Sequence, residues 1–196
     1  MQAICAAAQI RPGQDLEGIA MKRPLGVIVA LAALLGVVGG TATASPALAD
    51  RRGDGWQIGP AEPFTVPALY CGFEFLVTTV VNEEFTKLLK TADGSMTFLF
   101  TGAVTASFTN LQTGKTITET MNGPGEATIG SDGSITEVHT GRNGPFFLAP
   151  ANAQRFGLPA VSVTAGALRF SVDPDGNLTS LSLDGHVLVD VCAALA

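Results

Sequence analysis

SMTFLFTGAVTASFT, Ser95–Thr109, alternates apolar and hydroxyl side chains over two consecutive runs. Met96, Phe98 and Phe100 alternate with Ser95, Thr97 and Thr101; Val104, Ala106 and Phe108 alternate with threonine and serine. A beat of two residues puts the apolar side chains on one face of an extended chain and the hydroxyls on the other, the pattern of a half-buried strand. The same beat opens the region at Phe73, Phe75 and Val77, returns at Leu168, Phe170 and Val172, and closes it at Val187, Val189 and Val191.

Turn signals separate the runs. Asp93-Gly94, Asp132-Gly133, Asp175-Gly176 and Asp184-Gly185 suit the positive backbone angles of tight hairpins. Thr113-Gly114 and Asn122-Gly123-Pro124-Gly125 break the chain in the same way. About ten strands joined by such turns predict an all-β domain, a single antiparallel meander. Closure into a lipocalin-like β-barrel is favoured over a β-sandwich.

One segment carries mixed signals. NEEFTKLLK, Asn82–Lys90, has a cap candidate, early acids, late lysines and Phe85, Leu88 and Leu89 at helical spacing. From Phe85 onward it serves equally as the first arm of the Asp93-Gly94 hairpin, and strand is the preferred reading. One helical turn fits Ala151–Phe156, between Pro150 and Pro159.

The amino-terminal part reads differently. Residues 1–20 resemble neither a fold nor a targeting signal, and Met21 followed by Lys22-Arg23 is the better initiator. Residues 21–49 have a basic start, an apolar run from Leu25 to Val38 and the small-residue site Ala47-Leu48-Ala49, the layout of a secretory signal peptide. The alternative is a membrane anchor formed by uncleaved residues 25–49, but Gly36, Gly39, Gly40 and Pro46 weaken a spanning helix. Residues 50–68, rich in glycine and proline, form a flexible arm carrying Trp56, and residues 69–196 form the β domain. The expected address is extracellular, with no membrane association after cleavage.

Three cysteines are present. Cys5 falls in the leader, which leaves Cys71 and Cys192 as an even pair in an oxidising compartment. A bridge between them closes a loop spanning nearly the whole domain, for which chain entropy predicts roughly 4–5 kcal/mol. Neither cysteine has a partner at metal-ligand spacing, so no metal is implied, and no motif points to a cofactor. The formal net charge of −6 and the absence of a basic cluster argue against nucleic-acid binding.

Catalytic signals are sparse. There are two histidines. His186 follows the Asp184-Gly185 signal, and His139 shares a strand face with Glu137, which can orient its ring. Nothing matches G-x-S-x-G. Asp173-Pro174-Asp175-Gly176-Asn177 departs from the calcium-loop order and is explained as a turn. Glu74 is the one acid in an apolar strand opening, and alternation turns it away from Phe73 and Phe75. Phe146, Phe147 and Leu148 cannot all face one side of a strand; they form either an exposed binding rim or a buried crossing strand.

With its export signal, the Cys71-Gly72-Phe73 strand opening, the turn from Thr109-Asn110-Leu111 to Thr113-Gly114-Lys115 and the Asp190-Val191-Cys192 close, the chain resembles small secreted β-rich proteins of actinobacteria. The resemblance implies an address and no site. The expected function is a secreted non-enzymatic β domain that binds a small apolar ligand or a cell-envelope partner. The alternatives are a barrel enzyme, for proton transfer or hydrolysis, using Glu74 or Glu137 with His139, and a purely structural envelope component.

Overall fold

The computed structural model describes residues 54–59, 61–91 and 93–196. The leader, the signal peptide and the start of the arm lie outside the described residues. Eleven strands form one antiparallel sheet, with two short helices. The strands are β1 (Gln57–Ile58), β2 (Phe64–Val66), β3 (Phe75–Asn82), β4 (Phe85–Lys90), β5 (Met96–Thr101), β6 (Ala103–Asn110), β7 (Thr116–Asn122), β8 (Gly125–Ile129), β9 (Ile135–Phe147), β10 (Val161–Val172) and β11 (Leu178–Asp190). Helix α1 (Pro150–Phe156) lies between β9 and β10, and α2 (Val191–Leu195) follows β11.

The sheet order, β1-β4-β5-β8-β9-β7-β6-β3-β2 with β10 and β11 beside β9, hides a simpler plan. β3 and β4 are one ribbon interrupted at Glu83-Glu84; β5 and β6 are one ribbon interrupted at Gly102; β7 and β8 are one interrupted at Gly123-Pro124. Each ribbon pairs with the next through both halves: Phe85 with Thr101 and Asn82 with Val104, Phe100 with Gly125 and Ala103 with Asn122, Gly125 with His139 and Asn122 with Arg142. The expected meander is therefore present, bent across its middle.

The bend follows a seam of glycines. Gly141, Gly166 and Gly185 are in register across β9, β10 and β11, and Gly102 and Gly123 continue the line. Gly166 shows why glycine is needed: its φ is +111°, and a Cβ there would collide with the carbonyl oxygen of Asp184. Across it the buried positions of β10 pass from Val161 and Val163 to Leu168, Phe170 and Val172.

The two halves hold separate cores. In one, Phe75, Val77, Val104, Phe108, Met121, Val161 and Val163 pack against Val191 and Leu195 of α2. Asp190 caps that helix by accepting from the Ala193 amide at 3.0 Å, and Asn110 Nδ2 donates to the Leu195 carbonyl at 3.1 Å. In the other, Ile135, Leu168, Phe170, Val172 and Leu178 pack against Phe146, Leu148 and the underside of α1. A third cluster, Phe98, Phe100 and Ala127, extends across β5 and β8.

Several expectations need correction. The sheet is not closed, so the lipocalin-like barrel is not supported: β11 pairs only with β10, and the opposite edge is made of β1 and β2, two and three residues long. Closure needs paired edges, and these strands offer too little backbone to pair. The Cys71–Cys192 disulfide, with Cα atoms 5.1 Å apart, instead joins the β2–β3 connection at one edge to α2 just beyond the other. Such a bond is compatible with an extracellular protein, and no helix among the described residues is long and apolar enough to cross a membrane. Asp184-Gly185 is not a turn but the bend inside β11, and Val191 begins a helix rather than ending a strand. NEEFTKLLK forms strand β4 from Phe85, because pairing with β5 overrides its helical spacing. Its cap candidate, Asn82, brackets the bend instead, donating to the Gly59 carbonyl at 2.8 Å and accepting from the Glu84 amide at 3.1 Å.

Candidate functional site

Register across β5, β8, β9 and β10 sorts the residues of this half-sheet onto two faces. On the inner face, Phe98, Ala127, Glu137, Phe170 and Leu181 form one cross-strand row, and Phe100, Gly125, His139, Leu168 and Leu183 the next. On the outer face the intervening row is Lys87, Leu99, Glu126, Val138 and Arg169.

The inner rows bring Glu137 and His139 together. The His139 Nε2 and Glu137 Oε2 atoms are 2.9 Å apart, and the residues retain only 3% and 1% of their exposure. The carboxylate can fix the imidazole tautomer and orientation. Its second oxygen, Oε1, is buried without a hydrogen-bond partner, as are Asn143 Oδ1, Ser162 Oγ and Thr164 Oγ1. The His139 ring lies 5.9 Å from that of Phe100 and occupies the space that a Cβ on Gly125 would take. An aromatic ring thus covers a cross-strand glycine.

The outer row opens on a groove of about 530 Å³ lined by Trp56, Leu99, Phe100, Thr101, Pro124, Gly125, Glu126, Val138 and Thr140. Trp56 reaches this wall because β1 pairs with the start of β4, Gln57 opposite Thr86. The Lys87 ammonium lies 6.0 Å from the centre of its ring. Glu126 is the carboxylate in the lining, exposed at mid-floor with Leu99 and Val138 as its in-register neighbours. Gly125 and Phe100 belong to the groove and also touch His139, so the buried pair underlies the floor.

The other sequence candidates lie elsewhere. Glu74 is exposed ahead of β3, in the opposite half of the sheet from Glu137 and His139. His186 is exposed beside the β11 bend. Phe146 and Leu148 are buried against Phe170 and α1, while Phe147 meets the rings of Phe64 and Tyr70 in the other core. The segment is the buried crossing strand, not an exposed rim; successive side chains of an extended chain feed the two cores in turn. No group of three or more His, Cys, Asp or Glu suited to a metal occurs among the described residues. Leu99, Glu126 and Val138 were not anticipated. The available signal was the break in alternation, since Leu99 sits between two inward phenylalanines and Val138 between Glu137 and His139. Such residues put apolar surface on the face that should be wet.

Compared with protein-family models, curated proteins and solved structures, the chain matches none.

Proposed function

We propose that the protein is a secreted, non-enzymatic β domain that binds a small ligand with an apolar body on the outer face of its sheet. The groove carries this reading: Trp56, Leu99, Pro124 and Val138 gather apolar surface at one concave place on the outer face. The enzyme alternative has less support, because the Glu137–His139 pair points into the packed interior and Glu74 does not join it. The disulfide and the sequence of residues 21–49 support export into an oxidising compartment.

The chain has one tryptophan, and it lines the groove, so its fluorescence reports occupancy directly. Titration with phenylbutanol is expected to give a saturable change that Leu99→Glu abolishes. A flat titration, with neither quenching nor spectral shift, would remove the groove from consideration. The protein recovered from culture medium is expected to begin at Asp50; a chain retaining residues 21–49 would contradict export by cleavage.

A further inference from the structure

We infer that the ligand is a cationic amphiphile, with an ammonium group bound at Glu126 and an apolar body lying against Trp56, Leu99 and Val138. This deepens the groove reading and rests on it.

Three observations point the same way. First, Glu126 is an exposed carboxylate set among apolar neighbours: its in-register partners are Leu99 and Val138, and it forms no ion pair among the described residues. Glu137 and, across the seam, Glu119 are by contrast engaged, with His139 and Arg142 respectively, while Asp184 is exposed at the β11 bend and does not line the groove. Second, the Trp56 ring is already presented to a cation, the Lys87 ammonium 6.0 Å from its centre. An indole face and a carboxylate bordering one groove are complementary to an ammonium ion, the first through its quadrupole and the second through its charge. Third, acidic residues outnumber basic ones from Asp50 onward, which favours the approach of cations over anions at long range.

Lys87 and Arg169 flank the same cross-strand row and oppose this selection. Lys87 lies over Trp56, and Arg169 lies beyond Val138, so Glu126 holds the centre of the row and the two cations its ends.

The test is a matched set of probes with one apolar body: phenylbutylammonium, phenylbutanol and phenylbutyrate, each titrated against Trp56 fluorescence. The cation is expected to bind about fivefold more tightly than the alcohol, the size of an exposed ion pair assisted by an aromatic face. The anion is expected to bind more weakly than both. Glu126→Gln should erase the preference for the cation over the alcohol. Raising the salt concentration should narrow the gap in the native protein. Equal binding of cation and alcohol, unaltered by Glu126→Gln, would overturn the cationic assignment and leave the groove standing. Tighter binding of phenylbutyrate would overturn it in favour of Lys87 and Arg169. No response to any of the three would remove the groove reading itself.

Discussion

Asp93, Asp132 and Asp173 turn three hairpins with the same device. Each carboxylate accepts hydrogen bonds from residues a few positions ahead: Asp93 from the Ser95 amide at 3.0 Å, Asp132 from the Ser134 amide at 2.9 Å, Asp173 from the Asn177 amide at 2.8 Å. The Thr91 hydroxyl, followed by the amide and hydroxyl of Ser95, lowers the Asp93 pKa to about 2. Side-chain donors likewise lower Asp132, through Ser134, and Asp173, through Asn177. A depressed folded-state pKa stabilises the fold above the unfolded value and loses that contribution as pH falls through the folded one. The stabilising effect of Asp93 is therefore expected to be present above about pH 4 and to disappear towards pH 2, and a carboxyl-carbon NMR titration should place its midpoint near 2. A midpoint near 4 would refute the hydrogen-bonded turn.

The Glu137–His139 pair makes a second residue-level prediction. Removing one partner leaves a buried polar group without its bond, so Glu137→Leu is expected to cost about 2 kcal/mol in chemical denaturation. Replacing both residues by leucine should recover much of that loss, since a buried polar pair is often exchanged for apolar packing at little net cost. Gly125→Ala drives a methyl into the His139 ring and is expected to cost about 2 kcal/mol as well. His139→Ala in the same chain should relieve it, and a double-mutant cycle reads that coupling. Two independent, additive losses would mean that the ring and the glycine do not meet.

Among the elements, the long strands β9, β10 and β11 depend on the glycine seam. At Gly166 any side chain meets both an unfavourable φ and the Asp184 carbonyl, so Gly166→Val is expected to cost 3 kcal/mol or more, on the order of the strain and overpacking combined. Thermal unfolding measures it; an unchanged midpoint would show that the bend tolerates a Cβ. The sequence announced the hairpins well, because an Asp-Gly pair acts through its own backbone and its neighbours within a few residues. It misplaced the Asp184-Gly185 pair for the same reason. Whether a glycine with positive φ ends a strand or bends it depends on what lies opposite, and Gly166 and Gly141 lie opposite. The helical spacing in β4 and the helix at Val191 follow the same rule, one overridden by pairing with β5 and the other seated by burial of Val191 and Leu195.

Across the molecule, the disulfide stands where a barrel would have hydrogen-bonded edges. Its 121-residue separation gives a chain-entropy contribution of about 5 kcal/mol. The Cys71→Ser, Cys192→Ser variant is expected to lose stability on that order, with α2 the first element to exchange its amides. Denaturation with and without reductant, paired with hydrogen exchange, measures both effects. Loss of less than 1 kcal/mol would mean that packing alone holds the edges together.

Alternation and turn chemistry are local properties of the chain, and they were sufficient to establish an all-β meander and most of its hairpins; the pairing of Cys71 with Cys192 followed separately, from cysteine count and the export signal. The same alternation placed Glu137 and His139 on one face of one strand. Three things lay beyond it. The sheet stays open because the strands at its edges, β1 and β2 on one side and β11 on the other, do not meet to pair. Phe146 and Leu148 are buried, and Phe147 half-buried, because the bend at the glycine seam brings two cores to either side of them. The groove exists because β1 carries Trp56 to a patch of Leu99, Glu126 and Val138 drawn from three strands. Each depends on which residues far apart in the chain become neighbours, and periodicity within a single strand holds no record of which strands lie beside it.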